Sequence, residues 1–229
     1  IAVVPALTEL FSYKGSDNLS VPIITAVWAY FILRLPDLEI TYLFVALLIF
    51  LLLCFVAVYK KWLNVSGATA AIWMALLLFV CGGIKAFIAP GLFLLTGSLL
   101  SKLNTNDKEK NGRNALQVFC NGFAGIICLI LFNMSHQDLY LFAALVSFCV
   151  SMSDSVSSEL GTFFKGNTVD ILSFKKTPVG ISGGISWQGT VAGLGGAIIL
   201  TAAVFYTYHF PAIILGQIAI CGFAGMLVD

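Results

Sequence analysis

Eight apolar runs, each near the length a helix needs to cross a bilayer, divide this chain: Leu19 to Leu35, Ile40 to Tyr59, Val65 to Cys81, Ile84 to Leu100, Ala115 to Phe132, Leu139 to Met152, Trp187 to Tyr208 and Pro211 to Val228. Backbone polar groups in hydrocarbon must be satisfied within the segment, so runs of this length predict membrane-spanning helices. A β-barrel would show segments of about ten residues with alternating polarity, and none occur. Charged residues make up 10% of the chain, against about 25% in a soluble domain. The fold class expected is therefore all-α, a polytopic bundle of about eight transmembrane helices.

Threading the chain through eight spans puts Lys14, Lys60, Lys61, Lys102, Lys108, Lys110, Arg113, Lys165, Lys175 and Lys176 on one side and only Arg34 and Lys85 on the other. By the positive-inside rule the first side is cytoplasmic. Most of the acidic residues fall there too, while the net charge of +1 says nothing about nucleic acid or an acidic partner. No signal peptide is read at the start, where Ile1 heads the sequence, and a segment of a longer protein is expected. The six cysteines lie inside or at the edges of apolar runs without metal or redox spacing, and read as small buried hydrophobes.

In a chain this apolar, the stretch from Ser151 to Trp187 stands out. It gathers Asp154, Glu159, several serines, Lys175, Lys176, Gly180, Gly183, Gly184 and Ser186. Asp154 and Glu159 suit a hard divalent cation such as Mg²⁺, which takes oxygen ligands from one or two carboxylates and leaves the rest to phosphates and water. On a helix Asp154 and Ser158 share a face and Glu159 turns away, so one acid is expected to bind metal and the other to brace. The glycines can expose backbone N–H groups before a helix start at Ser186, which favours phosphate, although this is not a Walker A sequence and a tight re-entrant loop would look the same.

Other polar residues return to the same side. Asn114, Gln117 and Asn121 lie on one helical face and are expected to point into the bundle, either lining a site or hydrogen-bonding between helices. Ser98, Ser101 and Lys102 close the preceding span beside them, and Asp229 follows the last span. His136 and His209 fall at the opposite ends of helices, so no histidine general base is expected.

The opening run Gly15-Ser16-Asp17-Asn18-Leu19-Ser20-Val21-Pro22 resembles the end of polyprenol kinases such as dolichol and phytol kinases. It implies that residues 1–35 are the tail of a preceding kinase-like domain. The remainder, residues 36–229, carries Ser98-x-x-Ser101-Lys102, Arg113-Asn114-x-x-Gln117-Val118-x-x-Asn121-Gly122, Asp154-Ser155-x-x-Ser158-Glu159-x-Gly161, Pro178-x-Gly180-x-x-Gly183-Gly184-x-Ser186 and Gly222-Phe223-Ala224-Gly225-x-x-x-Asp229. In order and spacing these resemble the integral membrane family typified by transmembrane protein nineteen and the phytyl-phosphate kinases of plants and cyanobacteria. Two departures are Ser157, where the family often has a small apolar residue, and the end at Asp229, where the family continues.

That resemblance implies a kinase moving a phosphoryl group from CTP or another NTP to a prenyl monophosphate such as phytyl or geranylgeranyl phosphate. Asp154, Glu159 and Asp229 would handle Mg²⁺. Lys102, Arg113, Lys175, Lys176 and the loop at Gly180, Gly183 and Gly184 would handle phosphates, with Asn114, Gln117, Asn121, Ser158 and Ser186 beside them. Two rival readings remain. A cytidylyltransferase making a CDP-lipid fits the acids and glycines, and a non-catalytic transporter fits the polar stripe, although transporter sites usually lie near the midplane.

Overall fold

The computed structural model describes residues 37–101, 112–164, 166–181 and 183–228, with scattered positions between 21 and 33; the side chains at 37–40, 43, 44, 46, 47, 98 and 101 are outside the description. The expected kinase-like tail at 1–35, most of the span expected at Leu19 to Leu35, and the residues Lys102, Lys165 and Asp229 lie outside the described residues.

Seven α-helices are described: α1 Asp37–Tyr59, α2 Val65–Gly82, α3 Ile88–Ser101, α4 Ala115–Ser135, α5 Asp138–Phe164, α6 Trp187–Tyr208 and α7 Ala212–Val228, with a 3₁₀ turn at Ile84–Phe87 between α2 and α3. Among them α2, α4, α5 and α6 are long and apolar enough to cross a membrane, and Leu48–Tyr59, Ile84–Gly97 and Ala212–Val228 are shorter apolar helices. The protein is thus a helical integral membrane protein.

The helix ends follow from local chemistry. The Asn64 side chain accepts from the Gly67 N–H at 2.8 Å to start α2, and Gly83 at φ +62° ends it. Pro90 sits in the first turn of α3, where its missing N–H costs nothing. His136 and His209 cap α4 and α6 in the left-handed conformation, at the helix ends where the sequence puts them.

α5 is the centre of the bundle, packing against α3, α4, α6 and α7. Its buried face reads Leu141, Ala144, Leu145, Phe148, Cys149, Met152 and Val156, the spacing of a core-facing helical stripe. The sequence reading ends this span at Met152, with Asp154 directly after it. The helix instead runs on to Phe164 as one 27-residue rod. Two of its serines, Ser153 and Ser157, belong to a helix–helix seam: Ser153 is fully buried and its hydroxyl donates to the Gly193 carbonyl at 2.8 Å. Gly189, Gly193 and Gly196 of α6 form the facing stripe, the small-residue packing by which membrane helices approach closely.

This closeness is testable. A Cβ on Gly193 would lie 3.2 Å from the Ser153 carbonyl and 2.7 Å from the Met226 methyl. Gly193→Val is expected to destabilise the bundle by about 1–3 kcal/mol, read as a lower unfolding temperature in detergent. An unchanged temperature would show that the seam has slack.

The cysteines divide. Cys54, Cys81 and Cys149 are buried, as expected for all six, whereas Cys120 and Cys221 are exposed and Cys128 is half-buried; all six are free thiols. Helices that are apolar all round present some of their small hydrophobes to lipid, which sequence alone does not distinguish from the protein core.

The starts of α2, α4 and α6 meet the ends of α3, α5 and α7 at one end of the bundle. Between the last turn of α5 and α6 lies a small hairpin-like loop, with strands β1 Val169–Asp170 and β2 Gly184–Ile185 paired antiparallel. Nearly all the polar residues singled out in the sequence stand at this end.

Candidate functional site

Arg113 is tied down by backbone bonds before its side chain does anything. Its N–H donates to the Trp62 carbonyl at 3.0 Å, and its carbonyl accepts from the Asn64 N–H at 3.1 Å. A Cβ on Gly67 would collide with the Arg113 carbonyl, and one on Gly112 would lie 2.6 Å from the Leu63 backbone. These two glycines are therefore what lets the strand-like piece before α4 lie along the piece before α2.

From there the guanidinium turns inward, and Arg113 is only 8% exposed. Its Cζ lies 5.6 Å from the Phe93 ring centroid, and Nη2 is 3.9 Å from Glu159 Oε1. Gly97 of α3 makes the room: a Cβ there would be 2.7 Å from both Nη1 and Nη2. Among the described residues Nη1 is buried and without a hydrogen-bond partner. A buried guanidinium donor left unmade is costly, and an anionic oxygen would satisfy it.

On α5, one turn apart, Ser158 Oγ donates to Asp154 Oδ1 at 3.4 Å, so these two share a face as expected. Arg113, Gln117, Asn121, Asp154, Ser158 and Glu159 line one cavity of about 350 Å³. α4 is pinned alongside by the Ser151 hydroxyl, which donates to the Asn121 carbonyl at 2.7 Å. The amide stripe needs a correction. Asn114 and Gln117 form a reciprocal capping box: the Gln117 N–H donates to Asn114 Oδ1 at 3.0 Å, and the Asn114 N–H donates to Gln117 Oε1 at 2.9 Å. Both residues are exposed, so the stripe does not point wholly into the bundle. Orphan N–H groups at a helix start compete for amides, which explains why period alone misleads here.

A second cavity, of about 410 Å³, lies on the other flank of α5 and shares Ser158 with the first. Gly180, Gly184, Ser186, Gly189 and Thr190 line it, and Leu227 brings the end of α7 to its edge. Gly180 (φ +84°) and Gly183 (φ +78°) take the left-handed conformations expected of them. The Gly184 N–H is already spent on the Ile181 carbonyl at 3.0 Å, closing the turn. Ser186 caps α6 by accepting from the Gly189 N–H at 3.2 Å, so a helix start with its positive end faces this cavity.

Lys175 and Lys176 are exposed and line neither cavity, while their backbone folds back onto β1, whose other side pairs with the glycine strand: the Asp170 N–H donates to the Lys175 carbonyl at 2.9 Å and Lys176 bridges Val169. The turn between β1 and these lysines begins at Asp170, whose Oδ1 accepts from the N–H groups of Ser173 at 2.6 Å and Leu172 at 3.1 Å. The bond from Ser173, first, and that from Leu172 hold this carboxyl below its ordinary range.

Among the described residues no three of His, Cys, Asp and Glu come together to hold a metal ion. The pair Asp154 and Glu159 shares a cavity, with Glu159 turned toward Arg113. Sequence reasoning missed Gly67, Phe93 and Gly97, whose task is to seat Arg113; a glycine inside a helical run was the only mark.

The profile of the integral membrane protein family DUF92 matches residues 48–229. Protein VTE6, chloroplastic, from Arabidopsis thaliana is 28% identical over 185 residues, covering 73% of this chain and 53% of that protein. An uncharacterized membrane protein of Methanocaldococcus jannaschii is 29% identical over 192 residues, covering 80% of this chain and 76% of that one. An uncharacterized membrane protein of Synechocystis is 24% identical over 152 residues, 62% of this chain and 59% of that one. The chain thus spans little more than half the length of the Arabidopsis and Synechocystis relatives. No solved structure matches it.

Proposed function

The chain belongs to the integral membrane protein family DUF92, and on that premise we propose that it moves the terminal phosphoryl group of CTP, or another NTP, to a prenyl monophosphate such as phytyl or geranylgeranyl phosphate. The motif likeness to phytyl-phosphate kinases supports the substrate class. The observation that carries the reading is the buried, unfilled Nη1 of Arg113, in a residue that lines a cavity with Asp154, and a second, helix-start cavity that shares Ser158 as a wall residue. Transfer between two phosphate-bearing substrates needs two adjoining anion sites.

In this reading the acceptor phosphate sits on Arg113 and the nucleotide phosphates lie between Ser158 and the start of α6. An oxygen of the acceptor, already anionic, attacks the terminal phosphorus. The bond to the bridging oxygen breaks and the nucleoside diphosphate leaves. No general base is required, and alignment with charge neutralisation is what the protein supplies. Asp154 and Ser158 offer oxygen donors of the kind a hard cation takes, so they fit Mg²⁺ as a partial shell completed by phosphates. Bound there, the cation would neutralise charge on the transferring group. Glu159 and Asp229 are its further candidate ligands, with Glu159 also holding the guanidinium of Arg113 in place. Lys102 would add charge from its segment. By the positive-inside rule this end faces the cytoplasm, with Lys60, Lys61, Lys175 and Lys176 around it and Lys85 at the far end.

The deciding experiment incubates purified protein and geranylgeranyl monophosphate with CTP labelled at the γ- or the α-phosphate. Label from the γ-phosphate is expected in a prenyl diphosphate. Label from the α-phosphate in lipid would instead establish a cytidylyltransferase, and movement of substrate across proteoliposomes without either product would establish a transporter.

A further inference from the structure

An apolar groove runs along α2 from Arg113 to the 3₁₀ turn, and we propose that it holds the isoprenoid chain of an anionic prenyl lipid, head toward Arg113. The identity of the head group rests on the kinase reading above; the groove does not. Arg113 and Asn121 line both this groove and the acid-lined cavity, so the two spaces meet at the guanidinium. Everything else along it is carbon-rich or glycine, from Ala71 and Ala75 down to Leu78 and Phe87. The eight residues from Ala71 to Leu78 give a run of about 10 Å. At the far end Phe50 and Phe87 close it, ring centroids 6.0 Å apart.

Charge and shape together choose the occupant. A purely apolar ligand would leave the buried Nη1 of Arg113 unmade, and a small polar anion would leave the groove empty. A lipid with a phosphate head satisfies both. The enclosed volume, about 70 Å³, is too small for a whole chain. Pro90, Gly91 and Leu94 on its flank are half-exposed, so the chain lies along the groove and leaves sideways into the bilayer. Branched isoprene units suit a slot walled by alanines and glycine on one side and rings on the other, since each buried carbon contributes.

The test labels the full chain with a photoreactive geranylgeranyl monophosphate carrying its diazirine in the first isoprene units. Adducts are expected on α2 and α3, at groove residues such as Met74 and Phe93. They should be competed by unlabelled geranylgeranyl monophosphate and not by phosphatidate. Adducts on outward residues such as Phe55 or Leu95, or equal competition by phosphatidate, would overturn the proposal. Ala75→Phe fills the groove midway, and is expected to reduce labelling about tenfold by denying a few methylenes their burial. Unreduced labelling in this variant, once shown folded by its unfolding temperature, counts against the groove; if it does not fold, the wild-type adduct positions decide. Adducts in the groove with no diphosphate formed from any nucleotide would end the kinase reading and leave the groove standing. Diphosphate formed with adducts elsewhere would do the reverse.

Discussion

Asp154→Asn is expected to abolish turnover, by a factor of about 10² or more, while the protein still inserts and folds. Asparagine keeps the size of the side chain and an acceptor for the Ser158 hydroxyl at 3.4 Å, so the last turns of α5 have no reason to move. What is lost is the negative charge at the wall of the cavity that also holds Arg113 and Glu159. If Asp154 holds Mg²⁺ against the phosphates, that charge is indispensable, and raising the Mg²⁺ concentration should restore part of the rate. The measurement is product formation from prenyl monophosphate and nucleotide, beside an unfolding curve in detergent. Near-normal activity in a folded protein would remove Asp154 from the metal site and shift attention to Glu159 and Asp229.

The second large effect falls on Arg113, where loss of activity and loss of stability come together. Arg113→Ala removes the guanidinium from beside the Glu159 carboxylate, which is 13% exposed. Breaking a buried pair costs about 3–5 kcal/mol, and the 3.9 Å separation places this one at the low end. Arg113→Lys separates the two contributions. It keeps a charge and loses the planar fork, so the fold should survive while KM for the prenyl phosphate rises about tenfold or more. Gly97→Ala offers a control without touching any charge. In an ordinary helix interior the change favours the helix by up to about 1 kcal/mol. Here the new methyl would press on the guanidinium, so activity should fall although helix propensity improves. A Gly97→Ala protein that is both more stable and fully active would show that the placement of Arg113 is not critical.

How much of this could be read beforehand differs from residue to residue. Asn64, Asn114 and Ser186 are cap residues by type, and each caps a helix. Helical period misleads at Gln117, whose amide closes the capping box. The serines after Met152 lie beyond the apolar run with which the sequence ends this span. Ser153 and Ser157 are seam residues facing the glycines of α6, some 40 residues on, while Ser155 and Ser158 line the cavity with Asp154. Lys175 and Lys176 line neither cavity, although the turn at Asp170 folds their backbone back against β1, a pairing that spacing in the sequence does not show.

The apolar runs by themselves determined that this is a helical membrane protein, because a backbone in lipid has no other way to satisfy its polar groups across such lengths. The ordered motifs determined its family, and charge placed most of the polar residues at one end. Which of those residues meet was left to the tertiary structure. Arg113 reaches Glu159 because two glycines let its backbone lie against the segment before α2 and a third clears its path on α3. Such meetings depend on the close approach of elements far apart in the chain, and no local pattern encodes the distance between them.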